Sequence, residues 1–343
     1  MAPRQESHDL DAFGRLTGID PFRPGKRHGR IAIPLRGKAP IALPVTVVRR
    51  GPGPLVLFTG GNHGDEFEGP IALMKIARAL EPRDLVQGGA IFMPAINPPA
   101  IAAGTRTSPL DGRNLNRSFP GCANGTPTER IAHAITTAVL PHAVALFDLH
   151  AGGRTSVMIP SVMAHVFRDA QCTRRTVDAM KAFRAPAGIL IKEYETRGMI
   201  DTTAERMGLI FGCCELGGAG MVTPETVGIA ETGVRNVLKH FGIMAGRPVT
   251  APWLGRRRSR VLEALSYDCY AKASVGGIFE PFVDLEARVA KGQPIGQIHP
   301  LGTARPAPAI QHAPVAGRVF MRHAFGLIAR REWVAIVARD SDR

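Results

Sequence analysis

Hydrophobic and polar positions follow two different periods along this chain, and the changes between them predict its architecture. From Leu55 onward, short apolar runs typical of buried strands alternate with segments whose apolar residues recur at helical spacing. The expected strands are residues 55–58, 90–96, 144–149, 189–191 and 209–214. The expected helices are residues 69–80, 128–140, 171–184 and 224–242. This alternation predicts an α/β domain with a mixed, mostly parallel sheet flanked by helices.

The two ends of this pattern carry additional signals. Residues 31–35 and 41–49 read as extended segments, and Pro34 and Pro44 favour an antiparallel edge at the start of the sheet. The last helix should begin with Thr223 as its N-cap and Pro224 in its first position, because both residue types are favoured there.

The regular pattern breaks at residues 246–260, where prolines and an arginine run replace it. Beyond this break, short strand-like pieces separated by Gly and Pro predict a small all-β domain, similar to the barrel-sandwich of biotinyl and lipoyl domains. A carrier domain needs a lysine at the exposed turn, and none lies between Ile298 and Arg318, so a capping role is expected. The predicted organisation is a polar arm (1–30), an α/β domain (31–246), a linker (247–260) and a C-terminal β domain (261–343).

Composition narrows the classes of function. The chain is 45% hydrophobic and 21% charged, as is usual for a soluble globular protein. Its formal net charge is +14, but the basic residues are scattered, which favours a small anionic substrate over nucleic acid. Five cysteines without a C-x-x-C pair predict neither disulfides nor a thiolate zinc site. We expect a cytoplasmic protein without a membrane segment, because we find neither a signal-like apolar region nor a run long enough to span. A homo-oligomer is compatible with the sequence.

Candidate metal ligands lie where predicted strands end. Residues 60–70, Gly-Gly-Asn-His-Gly-Asp-Glu-Phe-Glu-Gly-Pro, follow the first buried strand, and His63 and Glu66 stand three residues apart there. His150 ends a second buried strand, and ligands gather at the carboxyl ends of parallel strands. Asp148, two residues earlier on the same strand, would orient His150 as a hydrogen-bond acceptor. This set predicts a zinc site with an open position, although cobalt or manganese would also suit these ligands.

Two further groups of residues suggest hydrolytic chemistry. Glu215 ends the strand that starts near Leu209, and it would accept a proton from a metal-activated water or, alternatively, form a structural salt bridge. Residues 104–121 form a long irregular segment that contains Arg106, Asn116 and Arg117. Such residues suit an anionic substrate, unless the segment is merely a solvated loop.

Taken together, these motifs resemble the succinylglutamate desuccinylase/aspartoacylase family, whose members are relatives of the zinc carboxypeptidases, and the resemblance covers roughly residues 45–340. It implies a zinc-exopeptidase-like fold and one zinc ion per chain. The roles that it implies are metal binding for His63, Glu66 and His150, general base and acid for Glu215, and binding of the substrate α-carboxylate for Asn116 and Arg117. Arg106 would polarise the scissile carbonyl, and Arg113 competes for that role.

The resemblance also implies a reaction, the removal of an acyl group from an N-acylated amino acid. Within the family, three stretches of this sequence are most similar to enzymes that convert N-alpha-acetyl-L-2,4-diaminobutyrate to acetate and 2,4-diaminobutyrate in ectoine degradation. These stretches are residues 60–70, 104–109 and 116–121. A cationic side chain needs an acidic neighbour, and Glu193, Glu195 and Asp201 are the open candidates. The alternatives are a succinylglutamate desuccinylase, an aspartoacylase-like deacylase, a carboxypeptidase and a non-catalytic metal-binding scaffold.

Overall fold

A computed structural model describes residues 12–35, 37–192, 197–255, 259–302 and 307–342. Its α-helices are α1 Ala12–Thr17, α2 Glu68–Ala79, α3 Pro98–Ala103, α4 Pro127–Ala134, α5 Ala170–Phe183, α6 Ile200–Arg206 and α7 Pro224–His240. Its strands are β1 Gly25–Leu35, β2 Lys38–Arg49, β3 Leu55–Gly60, β4 Gly89–Met93, β5 Ala145–His150, β6 Ser156–Met158, β7 Ser161–His165, β8 Ala187–Ile191, β9 Ile210–Glu215, β10 Arg260–Ala264, β11 Tyr270–Lys272, β12 Gly277–Pro281, β13 Arg288–Val289, β14 Pro294–His299, β15 Ala309–His312, β16 Gly317–His323, β17 Leu327–Ile328 and β18 Trp333–Asp340.

One large twisted sheet organises the described residues. Its main strand order is β1-β2-β4-β3-β5-β9-β7-β8-β10-β18-β16-β13, with β6 and β11 attached to β16 and β18. Strands β4, β3, β5 and β9 run parallel to one another, and so do β7, β8 and β10. Strand β7 is antiparallel to β9, and β1 and β2 form the predicted antiparallel edge. The mixed sheet with its parallel centre confirms the predicted fold class.

Helices cover both faces of the parallel centre, because its strands are apolar on both sides. On one face, a buried cluster joins the sheet to α2, α5 and α7, with Phe58, Phe147 and Phe183 among its largest members. On the other face, a second cluster joins the sheet to α1, α4 and α6.

Among the described residues, no helix is long and apolar enough to cross a membrane.

The helix termini follow the sequence signals in one case and depart from them in another. Thr223 caps α7, accepting a hydrogen bond from the Thr226 backbone N–H at 3.1 Å, and Pro224 occupies the first helical position as predicted. The helix predicted over residues 128–140 is shorter. It ends at Ala134, continues as a wider π-helical turn over Ile135–Val139, and closes with a 3₁₀ turn that contains Pro141. Proline lacks the N–H that a regular helix would need.

The ends of the chain depart from the predicted plan in two places. Part of the predicted polar arm is structured, because α1 buries Phe13 and β1 begins at Gly25. At the other end, β10 pairs in parallel with β8 and antiparallel with β18, so the main sheet continues into the C-terminal region. A separate four-stranded sheet, β15-β14-β12-β17, packs there with a third buried cluster. The arginine run of the predicted linker, residues 256–258, lies outside the described residues, and the domain boundaries remain a prediction.

A candidate metal centre and substrate cavity

The carboxyl ends of three adjacent parallel strands meet at one edge of the sheet and form the candidate site. Strand β3 leads into the loop that carries His63 and Glu66, β5 ends in His150, and β9 ends in Glu215. In the register of β5 against β9, His150 lies directly beside Glu215. The fold therefore brings together the residues that the sequence placed at separate strand ends.

The carboxylate of Glu66 connects the two histidines. Its Oε1 lies 2.8 Å from Nδ1 of His63, and its Oε2 lies 2.8 Å from Nδ1 of His150. All three side chains are buried, and each offers a donor atom within 4.8 Å of the other two. Two imidazole nitrogens and a carboxylate converging in this way are a ligand set that a small divalent ion accepts.

The remaining ring nitrogens also have partners. Nε2 of His150 lies 2.7 Å from Oδ2 of Asp148, and Nε2 of His63 lies 3.1 Å from Oδ1 of Asn114. Asp148 is in turn held by donors from Thr59 at 2.7 Å and Asn62 at 3.0 Å. Oxygen acceptors on the outer nitrogens fix the rings so that Nδ1 faces inward and is left as the ligand atom.

The electrostatics of the cluster favour a bound cation. Burial would raise the pKa of Glu66, but His63 and His150 overcome this effect and hold it well below its usual value. Burial would lower the pKa of His150, yet Asp148 and Glu66 raise it well above its usual value. Carboxylates that draw a proton onto a buried imidazole also attract a metal ion, which competes for the same nitrogen. The residues present therefore fit a divalent metal.

Glu215 differs from the ligand carboxylate of Glu66 in its hydrogen bonding. The side chain is buried, and its Oε2 finds no hydrogen-bond partner among the described residues. Burial raises its pKa to about 8, with His150 opposing the shift and Glu66 adding to it. A carboxyl group with a pKa near neutrality can both take up and release a proton at physiological pH.

A cavity of about 820 Å³ opens in front of these residues. The predicted loop residues Arg106, Asn116 and Arg117 line it, together with side chains from β9, α6 and the C-terminal β region. Nη1 of Arg106 lies 3.2 Å from Oε1 of Glu66, so its guanidinium reaches the metal centre. Arg113, its competitor, instead pairs with Glu129 at 3.2 Å and does not line the cavity.

Two acidic residues have positions that the sequence alone left open. Asp65, which stands between the two ligands of the first loop, accepts a hydrogen bond from the backbone N–H of Arg154 at 3.1 Å. This bond ties the first ligand loop to the segment that follows His150. Asp201 is buried and lines the cavity, whereas Glu193 and Glu195 lie outside the described residues.

Gly69 allows the first ligand loop to approach the strand that ends in His150. A Cβ atom at this position would overlap the Leu149 carbonyl group. We expect Gly69→Ala to lower the thermal unfolding temperature and to weaken metal retention, because α2 would have to move away from β5. Gly51→Ala is the matched control, since a Cβ there meets no atom within 4 Å. Equal unfolding temperatures and metal contents in the two variants would contradict this reading of the contact.

Comparison with known proteins agrees with the geometry. Residues 52–241 match the model of the succinylglutamate desuccinylase/aspartoacylase catalytic domain. The chain belongs to this family. The protein is a hydrolytic deacylase. The predicted resemblance is thereby confirmed.

Relatives of known name cover nearly the whole chain. N-alpha-acetyl-L-2,4-diaminobutyric acid deacetylase of Halomonas elongata is 39% identical over 318 residues, 92% of each chain. The product-bound ectoine utilization protein EutE (DoeB) of Ruegeria pomeroyi is 39% identical, with a TM-score of 0.89 over 94% of this chain and 98% of that one. A succinylglutamate desuccinylase/aspartoacylase of Rhodobacter sphaeroides is 37% identical, with a TM-score of 0.89 over 95% of this chain and 98% of that one.

Proposed function

We propose that this protein is a zinc-dependent deacetylase that hydrolyses N-alpha-acetyl-L-2,4-diaminobutyrate to acetate and 2,4-diaminobutyrate. The observation that carries the proposal is the buried His63–Glu66–His150 cluster, which adjoins Glu215 in a cavity that several basic residues also line. The Halomonas elongata relative is named for this reaction and supports the choice of substrate.

Each group at the site has a distinct task in the proposed reaction. His63, Glu66 and His150 would hold one zinc ion, which when bound supplies Lewis acidity toward the carbonyl oxygen and acidifies a water molecule. Glu215 removes a proton from the attacking water as the new C–O bond forms. It then delivers that proton to the amide nitrogen as the C–N bond breaks, so that acetate and a free amine leave.

The loop residues would hold the substrate by its charge. Oδ1 of Asn116 accepts a hydrogen bond from the backbone N–H of Ile200 at 3.0 Å, which directs the amide Nδ2 toward other acceptors. Arg117 donates to the Asn116 carbonyl at 2.7 Å and also lines the cavity. An amide donor beside a guanidinium suits the α-carboxylate of an N-acyl amino acid.

Arg106 would stabilise the negative charge that develops on the carbonyl oxygen. We expect Arg106→Ala to lower kcat by about 100-fold, a typical loss for one oxyanion donor. Arg113→Ala is the matched control from the same loop. It should leave kcat within about twofold, because an exposed ion pair such as Arg113–Glu129 contributes little. The measurement is kcat for both variants under steady-state conditions. Equal decreases in kcat would show that Arg106 does not stabilise the oxyanion.

A substrate panel tests the proposed function directly. Purified protein would be offered N-alpha-acetyl-L-2,4-diaminobutyrate, N-succinylglutamate, N-acetylaspartate and short peptides, and amine release would be measured for each. The proposal expects the highest kcat/KM for the diaminobutyrate derivative. Faster cleavage of succinylglutamate would favour the desuccinylase alternative instead. Zinc as the metal, a cytoplasmic location, a homo-oligomer and the absence of nucleic-acid binding remain predictions.

A further inference from the structure

Asp201 is a buried carboxylate in the substrate cavity to which the proposed reaction assigns no task. It is the second residue of α6, and the start of this helix is fixed to the substrate-binding loop. The Ile200 N–H donates to Asn116 Oδ1 at 3.0 Å, and the Phe119 N–H donates to the Gly198 carbonyl at 3.0 Å. Asp201 is therefore held beside the residues that would bind the α-carboxylate.

Asp201 also shares its cavity with the residues at which the amide bond would be cleaved. Cys213 and Glu215 stand two apart on β9 and face the cavity, and Cys213 Sγ lies 3.9 Å from Glu215 Oε1. Burial, above all, raises the pKa of Cys213, and the charges of Glu215 and Asp201 are among the contributors that raise it further. Asp201, Cys213 and Glu215 therefore line the same cavity.

The positions of the two ends of the substrate determine where its side chain goes. Its amide would lie at Glu215 and its α-carboxylate at Asn116 and Arg117, and the side chain leaves the same α-carbon. Asp201 lines the same cavity as both places, at the start of the helix that Asn116 holds. Glu332 also lines the cavity, but it is exposed and its Oε2 accepts from the Ala329 N–H at 2.8 Å. Because water screens an exposed charge, the buried Asp201 is a stronger partner for a cation than Glu332. Asp65 is also buried in the cavity lining, but its carboxylate accepts from the Arg154 N–H, in the segment that follows His150.

We propose that Asp201 determines side-chain specificity by pairing with the γ-ammonium group of the substrate and by repelling anionic side chains. This inference rests on the proposed function. One oxygen of Asp201 accepts a hydrogen bond from the Thr202 N–H. An ionised carboxylate accepts up to about four hydrogen bonds, so it can bind an ammonium group in addition to the donors it already has. The pairing would also explain how a cavity with several basic residues accepts a cationic amino acid.

The test compares two substrates that differ only in charge at the end of the side chain. N-alpha-acetyl-L-norvaline carries a methyl group where N-alpha-acetyl-L-2,4-diaminobutyrate carries the ammonium. For wild type we expect kcat/KM to favour the ammonium substrate. Asp201→Asn should lower kcat/KM for that substrate by about 100-fold and leave the norvaline derivative within a few-fold, since only one partner of a buried charge pair is lost.

The other outcomes separate failure of this inference from failure of the proposed function. Equal losses on both substrates, or an unchanged preference, would overturn the role of Asp201 while the proposed function stands. Loss of the preference in Glu193→Gln or Glu195→Gln, but not in Asp201→Asn, would assign the role elsewhere. A wild-type enzyme without preference would overturn the inference even if the variant fails to fold. A wild type that leaves the diaminobutyrate derivative intact would overturn the proposed function, and with it this inference.

Discussion

Glu215→Gln is expected to lower kcat for N-alpha-acetyl-L-2,4-diaminobutyrate by about 1,000-fold, within the range for loss of a general acid–base group. Glutamine keeps the size of the side chain but cannot accept the proton of the attacking water. The effect should be this large because Glu215 is buried, its Oε2 is unpartnered in the described part of the chain, and its pKa lies at about 8. A structural salt bridge would instead give this carboxylate a cationic partner and a lowered pKa.

Metal content must be measured on the same Glu215→Gln sample to separate loss of chemistry from loss of the site. We expect about one metal ion per chain in both wild type and variant, because Glu215 is outside the ligand set. Near-normal turnover would exclude Glu215 as the base. A parallel loss of metal and turnover would instead place Glu215 among the residues that hold the ion.

His150→Ala is expected to abolish both metal binding and turnover. Removing His150 takes away one of three donors, and it leaves the buried carboxylates of Glu66 and Asp148 without the imidazole between them. Two buried carboxylates that have lost the imidazole between them repel each other, so thermal stability should fall as well. Metal analysis after dialysis, together with a thermal unfolding curve, measures both effects.

Two further variants calibrate the His150 result. His312→Ala replaces an exposed histidine of the C-terminal region and should leave metal content and activity unchanged. Asp148→Asn keeps the ligand but weakens the group that orients it, so metal affinity should fall by about 10- to 100-fold. If His150→Ala retained its metal after dialysis, the ligand set proposed above would be wrong.

Local sequence pattern was sufficient to predict the frame of the site. Buried parallel strands are short apolar runs, so the strands ending at Gly60, His150 and Glu215 were visible in the sequence. Polar residues at such ends stand out against their apolar neighbours. The general rule that ligands gather at the carboxyl ends of parallel strands then predicted that the side chains would converge.

Features that depend on non-local contacts could not be predicted from the sequence. Arg106 and Arg113 belong to one irregular loop without a period, so only the fold shows that Arg106 faces the cavity while Arg113 pairs with Glu129. Asn114 supports His63 across a separation of 51 residues, and no local signal marks it. The sequence also did not predict that β7 lies between β9 and β8 and runs antiparallel to β9. Tertiary packing decides where such a strand joins the sheet.

Asp201 illustrates how far a single sequence can narrow a choice. The need for an acidic neighbour reduced the candidates to three, but their order along the chain did not rank them. The contact of α6 with the Asn116 loop is what places Asp201 in the cavity. Structure was needed because the loop and the helix come from segments that are distant in the chain.

The most direct test of the whole account is acetate release from N-alpha-acetyl-L-2,4-diaminobutyrate by protein stripped with a chelator and then reconstituted with one equivalent of zinc. The account predicts that the stripped protein is almost inactive and that zinc restores turnover with a stoichiometry of about one per chain. Full activity in the metal-free protein, or none after zinc is restored to a folded protein, would contradict it.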